Sequence, residues 1–95
     1  MKMIRDKYDE IISPDRLKVV TNYNEKLVLY SKKINEELDE LIESNYNDIY
    51  EYADLIETIV AMAKLKGISF ESIEYARTEK RLEKGGFDKC LVLIK

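Results

Sequence analysis

Histidine and tryptophan are absent from this sequence of 95 residues, and both cysteine and proline occur only once. Without histidine, the chain can form neither a Ser-His or Cys-His nucleophile nor a zinc site with histidine ligands. The single cysteine, Cys90, excludes an intramolecular disulfide. We expect a cytoplasmic protein in which Cys90 is a small buried hydrophobic residue. Any catalysis would therefore depend on carboxylates, lysines, arginines, tyrosines or a metal ion bound by oxygen.

Long apolar runs are also missing. The longest, residues 59–63 and 90–94, have five residues each, whereas a membrane span needs about 20. The opening "MKMIRDKYDE" lacks the apolar core of a signal peptide, so we expect no membrane partner. The formal net charge is −3, which argues against nucleic-acid binding because that function needs a strongly basic face.

The composition is typical of a compact, mainly helical chain, with 45% apolar residues and only three glycines. Its length predicts one domain, residues 1–95. Apolar residues recur at spacings of three and four between residues 25 and 43, which predicts an amphipathic helix. A second helix is expected over residues 48–66, ending at Gly67. Because it is apolar on more than one side, we expect it in the centre of the fold or in a subunit interface.

A third helix is expected to begin near Ser69 and to end by Gly85. Residues 1–24 are interpreted as an irregular or partly helical arm. The tail "FDKCLVLIK" is interpreted as an extended segment that lies on the helices. The predicted fold is therefore all-α, with an antiparallel helical hairpin, a third helix and a short extended C-terminal tail.

Two pairs of acidic residues lie at helical spacing on the first two predicted helices. Glu37 and Glu40 are three residues apart, as are Glu51 and Asp54, so each pair shares one helix face. A short loop favours antiparallel packing, which brings the end of the first helix beside the start of the second. The pairs would then converge, and hard divalent ions such as Mg²⁺ prefer oxygen ligands. This spacing indicates a metal site at the margin of the core.

Each acidic pair, taken alone, is also typical of a solvated helix surface. In that interpretation the acids pair with Lys32, Lys33 or more distant lysines. The position of both pairs beside apolar stripes favours the metal site, because unpaired acids are unfavourable at the edge of a core.

A basic face precedes the glycine pair near the end of the chain. It lies within about two turns of the third helix and consists of Arg77, Lys80, Arg81 and Lys84. Arg5 and Lys7 add positive charge near the start. Beside a divalent ion, such groups suit a polyphosphate. Taken alone, they also suit the negative end of the helix dipole.

Four motifs in order cover nearly the whole chain: "KMIRDKYDEII", "NEELDELIES", "EYADLIETIVAMAKLKGIS" and "EKRLEKGGFDKCLVL". On these motifs the chain resembles the MazG-type all-α nucleoside-triphosphate pyrophosphohydrolases. It is most similar to their small phosphoribosyl-ATP pyrophosphohydrolase-like branch. Lys84 stands where that branch usually has arginine before Gly-Gly-Phe, which keeps the charge but loses bidentate phosphate geometry.

The resemblance implies a nucleotide substrate that is cleaved between its α and β phosphates, giving a monophosphate and pyrophosphate. It implies Mg²⁺ as cofactor, or Mn²⁺ in its place, and assembly as a helical-bundle homodimer or homotetramer. Matching positions assign the metal to Glu37, Glu40, Glu51 and Asp54, with Glu36 as a helper. Glu37 and Glu40 would also be catalytic, with one carboxylate orienting or deprotonating the attacking water. The residues expected to bind phosphate are Arg5, Lys7, Lys80 and Arg81.

Two other functions stay open. The chain could be a non-catalytic nucleotide-sensing or protein-interaction module on the same helical fold, or a purely structural helical dimer. The structural dimer gives no reason for acid pairs to lie at the margin of the core. The nucleobase and the choice between dimer and tetramer do not follow from the sequence.

Overall fold

The computed structural model describes residues 1–94, so Lys95, the last residue of the predicted tail, lies outside the described residues. Within residues 1–94 every regular element is helical and there is no strand, which confirms the all-α class. The elements are two short 3₁₀ helices, Asp6–Glu10 and Pro14–Arg16, and three α-helices, α1 (Tyr23–Glu43), α2 (Ile49–Leu65) and α3 (Phe70–Lys84). None of these helices combines the length and the apolar content that crossing a bilayer requires.

Each α-helix begins beside a residue whose side chain caps it. Asn22 accepts a hydrogen bond from the backbone N–H of Glu25 at 3.0 Å, and α1 therefore begins at Tyr23, slightly before the predicted start. Asp48 and Ser69 cap α2 and α3 in the same way. These caps satisfy backbone donors that have no partner within the helix and so set where each helix starts.

The helices α1 and α2 pack along each other as an antiparallel hairpin. In the turn between them, Asn45 and Tyr46 have left-handed backbone conformations, with φ of 57° and 61°. The hydroxyl of Tyr52 donates to the carbonyl oxygen of Tyr46 at 3.0 Å and ties the turn to the first part of α2. The reversal brings the last turns of α1 beside the first turns of α2. In contrast, α3 touches α2 only over a short stretch.

Two expectations about burial are wrong for the single chain. Cys90 is exposed rather than buried, and each of residues 91–94 is more than 80% exposed. The tail therefore does not lie on the helices. The tail follows α3, and Gly85, directly after the last residue of α3, has a φ of 85°. Because α3 itself touches α2 only over a short stretch, no helix face covers residues 91–94.

The helix α2 is not central within one chain, because α1 covers it on one side only. Within residues 1–94, Leu41 is the only apolar residue that is buried, at 6% exposure, and no side chain is completely buried. The single chain thus has a narrow core, confined to the seam between α1 and α2.

Candidate metal centre

The hairpin brings the predicted carboxylates together. Glu37 and Glu40 come from the last turns of α1, and Glu51 and Asp54 come from the first turns of α2. One oxygen from each residue can be chosen so that these oxygens all lie within 4.8 Å of one another. We call these four residues the carboxylate cluster. A set of ligands made only of oxygen is the type that Mg²⁺ and Mn²⁺ prefer.

Two oxygens of the carboxylate cluster are buried without a hydrogen-bond partner, namely Oε2 of Glu37 and Oε2 of Glu51. Glu37 is the most buried acid in the cluster, at 5% exposure. Leaving a buried acceptor without a donor costs on the order of 1–3 kcal/mol, and more when the group is charged. The cluster is therefore suited to a ligand that brings positive charge, and its donor chemistry fits a divalent cation.

Two basic side chains neutralise part of the cluster. Lys33 Nζ lies 3.1 Å from Glu37 Oε1, and Arg5 Nη2 donates to Asp54 Oδ1 at 2.6 Å. The other two acids of the cluster have no ion-pair partner among residues 1–94. With all four carboxylates ionised, the cluster keeps two uncompensated negative charges, which one divalent cation would neutralise.

The surroundings shift three pKa values around the cluster. Burial raises the pKa of Glu37, with Lys33 opposing the shift and Glu40 reinforcing it. Burial also acts to raise the pKa of Glu36, but the hydrogen bonds and charges of Lys2 and Lys33 outweigh it and lower the pKa. Burial acts to lower the pKa of Lys33, and its two glutamate partners raise it overall. Glu37 therefore holds a proton more readily than an ordinary glutamate when no cation is bound.

Lys33 and Lys2 also belong to this site, although the sequence did not identify them as site residues. Lys33 contacts Glu36 at 3.5 Å and Glu37 at 3.1 Å, and its side chain is 17% exposed. The spacing of four residues between Lys33 and Glu37 was a signal, because such residues are neighbours on a helix. The contact of Lys2 with Glu36, at 3.2 Å, had no sequence signal because it depends on how the N-terminal arm folds back.

The residues expected to bind phosphate are not all at the cluster. Within residues 1–94, Arg5 alone of these residues forms an ion pair with a cluster carboxylate. Lys7 is exposed in the first 3₁₀ helix, and Lys80 and Arg81 are exposed near the end of α3. Their role in phosphate binding stays a prediction.

The chain matches no protein-family model, no curated protein and no solved structure. The resemblance to MazG-type pyrophosphohydrolases therefore stays a prediction. A function is inferred from the geometry and charge of the carboxylate cluster.

Proposed function

We propose that this chain is an Mg²⁺-dependent nucleotide pyrophosphohydrolase, with Mn²⁺ as an alternative ion. The substrate would be a nucleoside triphosphate or a related nucleotide, cleaved to a monophosphate and pyrophosphate. The observation that carries the proposal is the convergence of four carboxylates, two of which have a buried oxygen without a partner. When bound there, Mg²⁺ would neutralise phosphate oxygens and favour ionisation of the attacking water.

The residues of the cluster would divide the work. Glu37 is held at one oxygen by Lys33, so its second oxygen is available as a ligand. Glu40 has no ion-pair partner within residues 1–94 and would orient the attacking water and accept its proton. The water oxygen bonds to the α phosphorus while the bond from that phosphorus to the bridging oxygen breaks, and pyrophosphate leaves. Arg5 would exchange Asp54 for a phosphate oxygen of the substrate.

The test is release of pyrophosphate from a panel of nucleotides, with Mg²⁺ and with EDTA. We expect release from at least one nucleotide, and no release once EDTA removes the metal. If no nucleotide is cleaved while calorimetry shows tight nucleotide binding, the chain is instead a nucleotide-sensing module without catalysis. If nucleotides neither bind nor react, both proposals fail.

We also propose assembly as a homodimer or homotetramer and a cytoplasmic location. The apolar surface that one chain leaves exposed supports the assembly. The single cysteine supports the location.

A further inference from the structure

The N-terminal arm crosses the seam between α1 and α2 beside the carboxylate cluster. Lys2 contacts Glu36 of α1, with 3.2 Å between Nζ and Oε1. Three positions further along the chain, Arg5 contacts Asp54 of α2, with 2.6 Å between Nη2 and Oδ1. Glu36 directly precedes the cluster residue Glu37, and Asp54 is itself a member of the cluster. The two ion pairs therefore fasten the arm to opposite walls of the candidate metal centre.

Residues 2–5, which we call the strap, have the length that such a crossing requires. Three residues of extended chain span about 10 Å, and the backbone of Arg5 is extended, with φ of −71° and ψ of 151°. The axes of packed helices lie roughly 8–10 Å apart. Between the two ion pairs, Met3 and Ile4 are partly buried, whereas residues 6–11 are all exposed. The strap therefore lies against the hairpin, and the chain that follows it does not.

The rest of the arm holds the strap in place only weakly. Neither 3₁₀ helix packs extensively on an α-helix, and no residue between positions 1 and 22 is buried. Segments with few buried apolar contacts open locally at a low cost in free energy. The side chains of Lys2 and Arg5 are 67% and 57% exposed, and ion pairs of exposed side chains are individually weak. The strap is therefore closed in this structure but easily opened.

Opening the strap leaves every carboxylate that it contacts with a positive partner, provided that a cation is bound. Glu36 keeps Lys33, whose Nζ lies 3.5 Å from Oε2. Asp54 would exchange Arg5 for the cation, since its carboxylate belongs to the cluster. Without a cation, the same opening leaves Asp54 as a further acid without a partner in the cluster. A bound cation thus favours the open strap.

We propose that the strap is a gate over the carboxylate cluster, closed by its two ion pairs in the metal-free chain and opened by a divalent cation. This regulation rests on the metal site of the proposed function. A divalent cation places two positive charges beside the guanidinium of Arg5, which it repels, and binds the carboxylate that holds it. A ligand shifts such an equilibrium only by its preference for one state. By the same linkage, the closed strap weakens binding of the cation.

The labelling rate of a cysteine in the strap measures its opening. In a Cys90→Ser background, Met3→Cys places a thiol at a partly buried position of the strap. Val19→Cys is the control, at a position of the same arm that is 85% exposed. We expect saturating Mg²⁺, compared with EDTA, to raise the labelling rate of Met3→Cys about two- to fivefold, because one partly exposed ion pair is lost. Val19→Cys should react equally fast in both conditions.

Lys2→Gln distinguishes the gate from direct competition for the cluster, because Lys2 contacts Glu36 and no carboxylate of the cluster. In EDTA it should raise the labelling rate of Met3→Cys about two- to fivefold. It should also raise the affinity for Mg²⁺, measured by calorimetry, by up to about the same factor. Lys18→Gln is the matched control, at an exposed lysine of the arm without an ion pair among residues 1–94, and should change neither quantity.

Failure of the gate and failure of the proposed function give different results. If calorimetry shows that Mg²⁺ binds but the labelling rate of Met3→Cys does not change, the gate is wrong and the metal site stands. If Mg²⁺ binds to none of these variants, the proposed function fails and the gate fails with it. Equal effects of Lys2→Gln and Lys18→Gln would also overturn the gate, because the charge of the arm and not the ion pair of the strap would then be responsible.

Discussion

Lys33 binds one carboxylate oxygen of Glu37 and leaves the other oxygen buried without a partner. The Nζ–Oε1 distance is 3.1 Å, and the two side chains are 17% and 6% exposed. An ion pair this well buried fixes the side chain of Glu37, because rotating its carboxylate away from Lys33 would leave a buried negative charge without a partner. Lys33 is therefore a positioning residue for the candidate metal centre.

Replacing Lys33 with methionine removes the charge and keeps much of the side-chain volume. We expect Lys33→Met to lower the free energy of unfolding in EDTA at neutral pH by about 2–3 kcal/mol, because Glu37 becomes a buried acid without a partner. Mg²⁺ should restore part of this loss by replacing the missing positive charge. The rise in Tm caused by Mg²⁺ should thus be larger in Lys33→Met than in wild type. Urea unfolding in EDTA measures the loss of stability, and thermal unfolding with and without Mg²⁺ measures the rise in Tm.

The control for this variant is Lys32→Met, at the neighbouring exposed position. Lys32 forms no ion pair among residues 1–94. The free energy of unfolding of Lys32→Met should therefore stay within about 0.5 kcal/mol of wild type. If the two variants lose equal stability, Lys33 does not hold Glu37.

Glu40→Gln tests the metal assignment with little change in shape. We expect it to lower Mg²⁺ affinity and pyrophosphate release by more than about 100-fold. Even residues that only hydrogen-bond to metal ligands contribute about 10–100-fold to metal affinity or activity. In EDTA the variant should be at least as stable as wild type, because it removes one of the mutually repelling carboxylates. Calorimetry, turnover and urea unfolding are the measurements.

Asp39→Asn is the matched control for Glu40→Gln. Asp39 is adjacent in sequence, exposed, and outside the carboxylate cluster, so the same chemical change there should leave Mg²⁺ affinity and turnover near wild type. Full activity in Glu40→Gln, or its unfolding in EDTA, would show that Glu40 is not a metal ligand.

The raised pKa of Glu37 predicts how the effect of Mg²⁺ depends on pH. In the metal-free protein, folded Glu37 keeps its proton above the ordinary pKa of 4.5. Its contribution to stability is therefore fully present below pH 4.5 and is lost as pH rises through its folded pKa. A cation that displaces this proton binds better at higher pH. We expect the rise in Tm caused by Mg²⁺ to grow between about pH 5 and pH 7.5.

Glu37→Gln is the variant that isolates this effect. The neighbouring Glu36 has a lowered pKa, so its contribution is present above 4.5 and is lost only below that value, outside the tested window. The rise in Tm caused by Mg²⁺ should thus grow with pH in wild type but not in Glu37→Gln, as measured by thermal unfolding. The same Mg²⁺ effect at both pH values in wild type would contradict the prediction.

The hairpin and its carboxylate cluster could be predicted because both depend on local spacing. Asp48 as a helix cap and Gly67 after the helix fix where α2 starts and ends. The spacing of three residues within each acid pair then fixes the face on which it lies. Because the turn between α1 and α2 is short, the acidic face of one helix must meet the acidic face of the other.

The contacts of the N-terminal arm could not be predicted in the same way. The pairs Lys2–Glu36 and Arg5–Asp54 join residues far apart in sequence, and no periodic pattern specifies them. For the tail, in contrast, burial was predicted from the sequence and is not observed. Its apolar residues at 91–94 predicted burial, but hydrophobicity alone does not say which surface covers them, and none does within one chain.

Arg5 should affect metal and substrate in opposite directions. Its guanidinium donates to Asp54 at 2.6 Å and is 57% exposed, so it competes with a cation for that carboxylate. We expect Arg5→Gln to bind Mg²⁺ up to about fivefold more tightly without nucleotide, since an exposed ion pair contributes no more than about 1 kcal/mol. Pyrophosphate release should nevertheless fall, because a bidentate donor to phosphate is lost.

Arg16→Gln makes the same charge change on the arm, at a residue without an ion pair among residues 1–94, and should alter neither quantity. Calorimetry with Mg²⁺ alone measures metal affinity, and turnover across nucleotide concentrations measures pyrophosphate release. Weaker Mg²⁺ binding in Arg5→Gln would show that Arg5 supports the metal site instead of competing with the cation.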